Sequence, residues 1–169
     1  GNRAYGVAAA SLNYFNKRTG GSPLSVSFNG TLLQGKSTQA GFLSADPTVT
    51  ATVSTGGARF DSQGYNLTIS APLLHDSALG VTPDGGVTKA AGTGTLSLTG
   101  TNTYTGPTIV SNGVLNTTTG SQGAGSYSVA DSATLGVSIA SAGQSLNMSS
   151  LTLGSVGGPT TNNFTLGSA

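Results

Sequence analysis

The residues able to do acid–base or nucleophilic chemistry are few. The chain has one histidine, His75, no cysteine, and five acidic residues that are all aspartate: Asp46, Asp61, Asp76, Asp84 and Asp131. A Ser–His–Asp arrangement can be written down, because serine is abundant and Asp76 adjoins His75. Yet no Gly-x-Ser-x-Gly elbow occurs, and adjacent residues of a strand point to opposite faces. His75 therefore reads as a solvent-exposed loop histidine near Pro72. Asp76 and Asp84 are the nearest carboxylates in sequence. With Arg59 and Lys89 they outline a groove over residues 59–89, where two acids could flank a glycosidic bond. Aspartate in such a place more commonly makes a turn, and Asp84-Gly85-Gly86 has turn chemistry of its own.

Metal and phosphate sites need denser patterns than this chain offers. It lacks the Gly-Gly-x-Gly-x-Asp run of calcium-binding solenoid repeats, and no cluster has metal-ligand spacing. Gly92-Thr-Gly94 is missing the further glycine and the following helix of a phosphate loop. The residues thus predict no catalytic, metal or cofactor site, and a protein that is not an enzyme. Five Asn-x-Ser/Thr sequons, at Asn29, Asn66, Asn116, Asn147 and Asn163, are what chance yields in so polar a chain.

The elements that would position any site are short and regular. Apolar residues alternate with Ser, Thr, Ala, Gly or Asn at Leu24, Val26 and Phe28, at Val49, Ala51 and Val53, and at Leu67 and Ile69. The pattern continues at Leu96 and Leu98, at Leu135, Val137 and Ile139, at Leu151 and Leu153, and at Phe164 and Leu166. A period of two gives each strand one face to bury and one for water. Residues 3–15 alone leave a choice between a short helix, a capping element and an edge strand. Small polar corners recur at Val53–Phe60, Val110–Leu115 and Val129–Leu135, a spacing that suits stacked repeats.

Two all-β architectures fit: a parallel β-solenoid and an antiparallel β-sandwich. Asn29-Gly30 and Asn112-Gly113 are hairpin signals that favour the sandwich. The absence of tryptophan, and of the large buried aromatics that anchor sandwich cores, favours the solenoid, whose bends use the same glycine and asparagine. Residues 1–169 are read as one such segment, with 1–22 as a capping or strand-donating element.

Charge narrows the partners. Only 7% of residues are charged and the formal net charge is +1, with no basic stripe, so neither nucleic acid nor an anionic membrane is expected to bind. The hydrophobic fraction of 36% is too high for a disordered chain. The longest apolar stretch, near Val7–Ala10, is too short to insert into a bilayer. A first residue other than Met suggests a processed or excised piece.

The stretch from Lys89 to Leu115 resembles the passenger-associated transport repeat of bacterial autotransporter passengers and related surface proteins. Its features stand in order: Gly92-Thr-Gly-Thr-Leu-Ser-Leu, Gly100-Thr-Asn-Thr-Tyr-Thr-Gly106, Thr108-Ile-Val, and Asn112-Gly-Val-Leu. Pro107 departs from the pattern, since a second glycine is frequent there. The resemblance implies a right-handed parallel β-helix outside the cell, in a passenger piece without its translocator barrel. It implies no single activity.

Three functions follow as expectations. The first is a non-catalytic shaft or stalk of a cell-surface adhesin, packed on neighbouring repeats of a longer chain. The second is an extracellular fibre subunit that associates with itself end to end or by strand addition. The third is a carbohydrate-binding module for glycans or a host surface, its candidate platform drawn from Tyr5, Tyr14, Tyr65, Tyr104 and Tyr127.

Overall fold

The computed structural model describes residues 9–12, 23–120, 125–139, 141–154 and 163–168. Within them, alternation of apolar and small polar residues becomes short strands, and the intervening Gly, Asn, Asp and Ser become corners. The strands are β1 (Ala9–Leu12), β2 (Leu24–Phe28), β3 (Leu32–Gly35), β4 (Gln39–Leu43), β5 (Val49–Val53), β6 (Ala58–Asp61), β7 (Leu67–Ile69) and β8 (Leu73–His75). After a 3-10 turn at Ser77–Leu79 come β9 (Val87–Ala91), β10 (Thr95–Leu98), β11 (Thr108–Val110), β12 (Val114–Thr118), β13 (Tyr127–Val129), β14 (Thr134–Ile139), β15 (Leu151–Leu153) and β16 (Asn163–Ser168).

These strands form three parallel sheets. One has seven strands in the order β1-β3-β6-β9-β11-β13-β15, one has six in the order β16-β14-β12-β10-β7-β4, and one has three in the order β2-β5-β8. Neighbours in a sheet are a full turn of chain apart, the mark of a parallel β-solenoid. Leu67 lies opposite Leu96, a step of 29 residues, whereas Thr95 lies opposite Val114 and Val114 opposite Thr134, steps of 19 and 20. The described chain therefore winds with three sheets per turn at first and with two later.

This geometry overturns the sandwich alternative. Asn29-Gly30 and Asn112-Gly113 are corners rather than hairpins, since the strands they join lie in different sheets. The positive φ that a hairpin needs, 89° at Gly30 and 69° at Gly113, here turns the chain from one solenoid face to the next. The repeat alignment also shifts. Val110–Leu115 and Val129–Leu135 join the seven- and six-stranded sheets, but Val53–Phe60 joins the three- and seven-stranded ones. In register, the counterpart of Val110–Leu115 one turn earlier is Lys89–Leu96. All corners need small polar residues, so corner chemistry alone does not tell one edge from another.

Inside, like residues stack in columns. Leu67, Leu96, Leu115 and Leu135 form one, and Ala58 with Val87 begins another. Large aromatics are buried after all. Phe60 takes edge contacts from Phe28 at 5.7 Å and Phe42 at 6.5 Å between ring centroids, so one aromatic cluster ties the three sheets together. Leu151 and Leu153, expected inside, stand in register with buried Tyr127 and Val129 yet are 39% and 44% exposed. They lie on the last strand of their sheet, where no further described strand covers them. At the other end, Ala9–Leu12 is an edge strand paired with β3, as one of the three readings of residues 3–15 expected. The rest of residues 1–22 lies outside the described residues.

Rungs stack at about 4.8 Å, which constrains the corners. A Cβ on Gly94 would sit 2.0 Å from the carbonyl oxygen of Tyr65 one turn below, and one on Gly106 would sit 2.2 Å from that of Asp84. Corner asparagines add bonds between turns: Asn29 Oδ1 accepts from the Gly56 N–H at 2.8 Å, and Asn66 Oδ1 from the Thr95 N–H at 3.2 Å.

The register yields a deletion test. Removing residues 114–133 brings Thr134 into the place of Val114 and should keep β-sheet circular dichroism and a cooperative melt. Removing only 114–123 puts the chain out of phase with its neighbours and should abolish the cooperative transition.

Candidate functional site

The chemistry-bearing residues meet where the third sheet ends. His75 closes β8 and lies in register with Val53, which is itself in register with Phe28, so it prolongs an apolar column. Beyond it the chain leaves the solenoid for residues 76–86. Asp76 caps the 3-10 turn by accepting from the Ala78 N–H at 3.1 Å, Gly80 ends it at a φ of 59°, and Val81 stands fully exposed at the tip. The chain then returns through Asp84 into β9.

Asp84 is buried and accepts from several donors. Its Oδ1 takes the N–H groups of Gly86 at 2.9 Å and Gly106 at 3.0 Å. Its Oδ2 takes the Thr105 N–H at 2.8 Å, the Thr105 hydroxyl at 3.2 Å and His75 Nδ1 at 2.8 Å. The Asp84 N–H in turn donates to Thr105 Oγ1 at 3.2 Å. One carboxylate thus joins the end of the third sheet, the returning excursion and the Tyr104-Thr105-Gly106 turn of the next rung. Burial pushes its carboxyl up, but the Thr105 N–H, His75 and the Gly86 and Gly106 N–H groups outweigh that and hold it below the usual carboxylate range.

His75 is a partner in this knot and not a free loop residue. Its side chain is only 19% exposed. The bond to Asp84 raises its pKa above 6.5, aided by the Gly80 carbonyl at 3.1 Å from Nε2 and by the charges of Asp84 and Asp76, against the opposing effect of burial. A nucleophilic relay would put the carboxylate on one ring nitrogen and the hydroxyl on the other. Here Asp84 Oδ2 and Thr105 Oγ1, the latter at 3.1 Å, both face Nδ1, while Nε2 faces a carbonyl. This arrangement binds loops together.

The next turn replaces the missing strand with two side chains. Asn102 Oδ1 accepts the Leu73 N–H at 2.8 Å, and the Leu73 carbonyl accepts the N–H groups of Thr103 at 2.9 Å and Tyr104 at 3.2 Å, so the edge of β8 is sealed. Tyr104 turns into the interior. Its hydroxyl lies 2.7 Å from Thr108 Oγ1, which is buried in the column running from Val87 to Tyr127. Burial pushes the Tyr104 phenol strongly up.

Lys89 is the second polar insertion. It lies between Phe60 and Val110 in the column that runs from Leu33 to Val129, with no exposed surface. Its Nζ donates to the carbonyls of Ala91 at 2.5 Å, Gly92 at 2.6 Å and Asn112 at 3.2 Å, at the corner between the seven- and six-stranded sheets. Burial pushes its pKa down, and the charge of Asp61 opposes this. Asp61 is itself buried, accepting from Gln34 at 3.0 Å, from the Gln63 N–H at 2.8 Å and from the Gln63 side chain.

The groove that residues 59–89 could outline does not assemble, and the commoner turn reading of the aspartates holds for Asp76 and Asp84. Arg59 is on the outer face of β6, Lys89 and Asp84 are inside, and Asp76 caps a turn. Of the tyrosine platform, Tyr104 and Tyr127 are buried and Tyr65 is 41% exposed, while Tyr5 and Tyr14 lie outside the described residues. Among the described residues no three His, Cys, Asp or Glu side chains could hold a metal ion. Alternation did carry a signal for the two polar insertions: Lys89 is in phase with Val87, and His75 with Leu73.

Asn102, Tyr104 and their turn sit between β10 and β12, inside one complete rung. Residues 90–120 match the family model of the passenger-associated-transport-repeat. No curated protein and no solved structure matches the chain. The repeat comprises β10, β11 and β12, the turn at which the solenoid changes from three sheets to two. Its Asn-Thr-Tyr-Thr-Gly turn supplies the strand-edge seal, the interior plug and the backbone donors for Asp84.

Two substitutions test these roles by chemical denaturation. Tyr104→Ala empties the plug and should cost about 3–5 kcal/mol, whereas Tyr104→Phe loses one buried hydroxyl contact and should cost about 1 kcal/mol. Lys89→Met keeps the bulk but removes the ammonium from three carbonyls, of which Ala91 keeps the Ser62 N–H, and a loss of about 2–3 kcal/mol is expected. An unchanged midpoint would mean that water replaces the ammonium.

Proposed function

We propose that this chain is a shaft segment of an autotransporter-type passenger, a non-catalytic spacer outside a bacterial cell that holds other parts of a longer surface protein away from it. One observation carries this reading: parallel ladders run unbroken through the passenger-associated-transport-repeat, and the polar residues that could do chemistry are spent on joining turns. The repeat family supports a secreted or surface protein. No helix among the described residues is long and apolar enough to cross a membrane.

The fibre reading has its own support in Leu151 and Leu153. They extend core columns to an exposed last strand where a second copy could add its first rung. Among the described residues the glycan-binding reading rests on Tyr65 alone. Small-angle scattering and negative-stain microscopy over a range of concentrations separate the first two. The shaft reading expects a 16.4 kDa particle whose size does not grow with concentration. Long uniform fibres would replace it with the self-assembling subunit.

A further inference from the structure

His75 has both ring nitrogens facing acceptors: Nδ1 meets Asp84 Oδ2 at 2.8 Å, and Nε2 meets the Gly80 carbonyl oxygen at 3.1 Å. A neutral imidazole has one N–H and can serve only one of them, while the imidazolium serves both. The two acceptors lie at different places on the 76–86 excursion. Asp84 is at its base, anchored independently by the backbone N–H groups of Thr105, Gly86 and Gly106. Gly80 is near the tip, and its own N–H donates to the Ser77 carbonyl at 3.2 Å, a bond that stays within the excursion. The Nε2 contact therefore ties the tip back to the solenoid.

We propose that protonated His75 is a latch that holds the tip of the 76–86 excursion against the solenoid, and that deprotonation releases the tip while the Asp84 end stays fixed. The neutral ring keeps its proton on Nδ1, because a carboxylate is the stronger acceptor. Nε2 then presents a lone pair to the Gly80 carbonyl, and that contact opens. The acids facing the ring are Asp84, from the segment before β9, and Asp76, from the start of the 3-10 turn. Val53 on β5 and Thr105 in the following turn bring no charge.

The sign follows from the two states. The folded chain binds the proton more tightly than the unfolded chain, since the ring's pKa is raised. The latch is thus complete below the ordinary histidine value of 6.5 and is lost as pH rises through the higher folded value. What moves is the segment bearing Val81, the most exposed large apolar side chain among the described residues.

Hydrogen exchange of residues 76–86 at pH 5.5 and 8.5, corrected for intrinsic rates, tests the latch in the whole chain. Opening should be several-fold more frequent at the higher pH, and in His75→Gln it should be equally frequent at both. Protection that does not change with pH in the native chain, or a change that survives in His75→Gln, would overturn it. A second readout needs no variant. His75 is the sole histidine of the sequence, so its ring signals can be followed by nuclear magnetic resonance without ambiguity. The ring and the Gly80 amide should titrate together with a midpoint above 6.5, and a Gly80 amide that ignores the ring's titration would also refute the latch.

Discussion

Every described strand finds its hydrogen-bond partners one turn of chain away, and that constraint governs the rest. A rung has no partner within itself, so its inner residues must fall at the heights of those above and below. Leucine accordingly follows leucine from Leu67 to Leu135, and a residue inserted out of phase would turn a whole face outward. The same stacking brings corner backbones so close that Gly94 and Gly106 have no space for a side chain. Low charge follows from the same geometry, because like side chains stack at about 4.8 Å and like charges would repel at that distance.

The solenoid changes cross-section once within the described residues, and its polar interior chemistry gathers there. Ending the three-stranded sheet exposes the edge of β8 and leaves space inside the next turn. Asn102 seals the edge and Tyr104 fills the space. Asp84 holds the excursion that leaves at this level, and Lys89 satisfies the carbonyls of the adjoining corner. These groups look like a reactive cluster when written in a line. Each nevertheless has a partner within the fold, and of these groups only His75 faces more acceptors than its neutral form can serve.

Much of the fold was readable because a period of two survives in short strands. It marks Leu67 and Ile69, or Leu96 and Leu98, as inner residues without reference to their partners, and the structure buries all four. The repeat was readable from the order of its turn residues, and the expected span of 89–115 overlaps the matched 90–120. The fate of the polar residues was less legible. For Lys89 and Asp84 the sequence offered a groove on paper, with a turn as the commoner reading of Asp84, and burial of either charge is costly and so a poor prior expectation. Part of what offsets that cost is local, but part comes from turns 21 to 23 residues away, such as Thr105 for Asp84 and Asn112 for Lys89. Leu151 and Leu153 obey the alternation and are exposed all the same, since burial also needs a neighbouring layer.

By itself the sequence determined that this chain is built of short strands with one apolar face, turned at glycine and asparagine and low in charge. Those are local properties, set by side-chain periodicity and backbone freedom within a few residues. The tertiary structure decided which strands pair, that Asn-Gly marks a corner and not a hairpin, and where three sheets become two. It also brought His75, Asp84 and Thr105 to one point. The physical reason is that a parallel ladder joins residues about 20 to 30 apart, and at that distance register depends on how much chain each turn consumes.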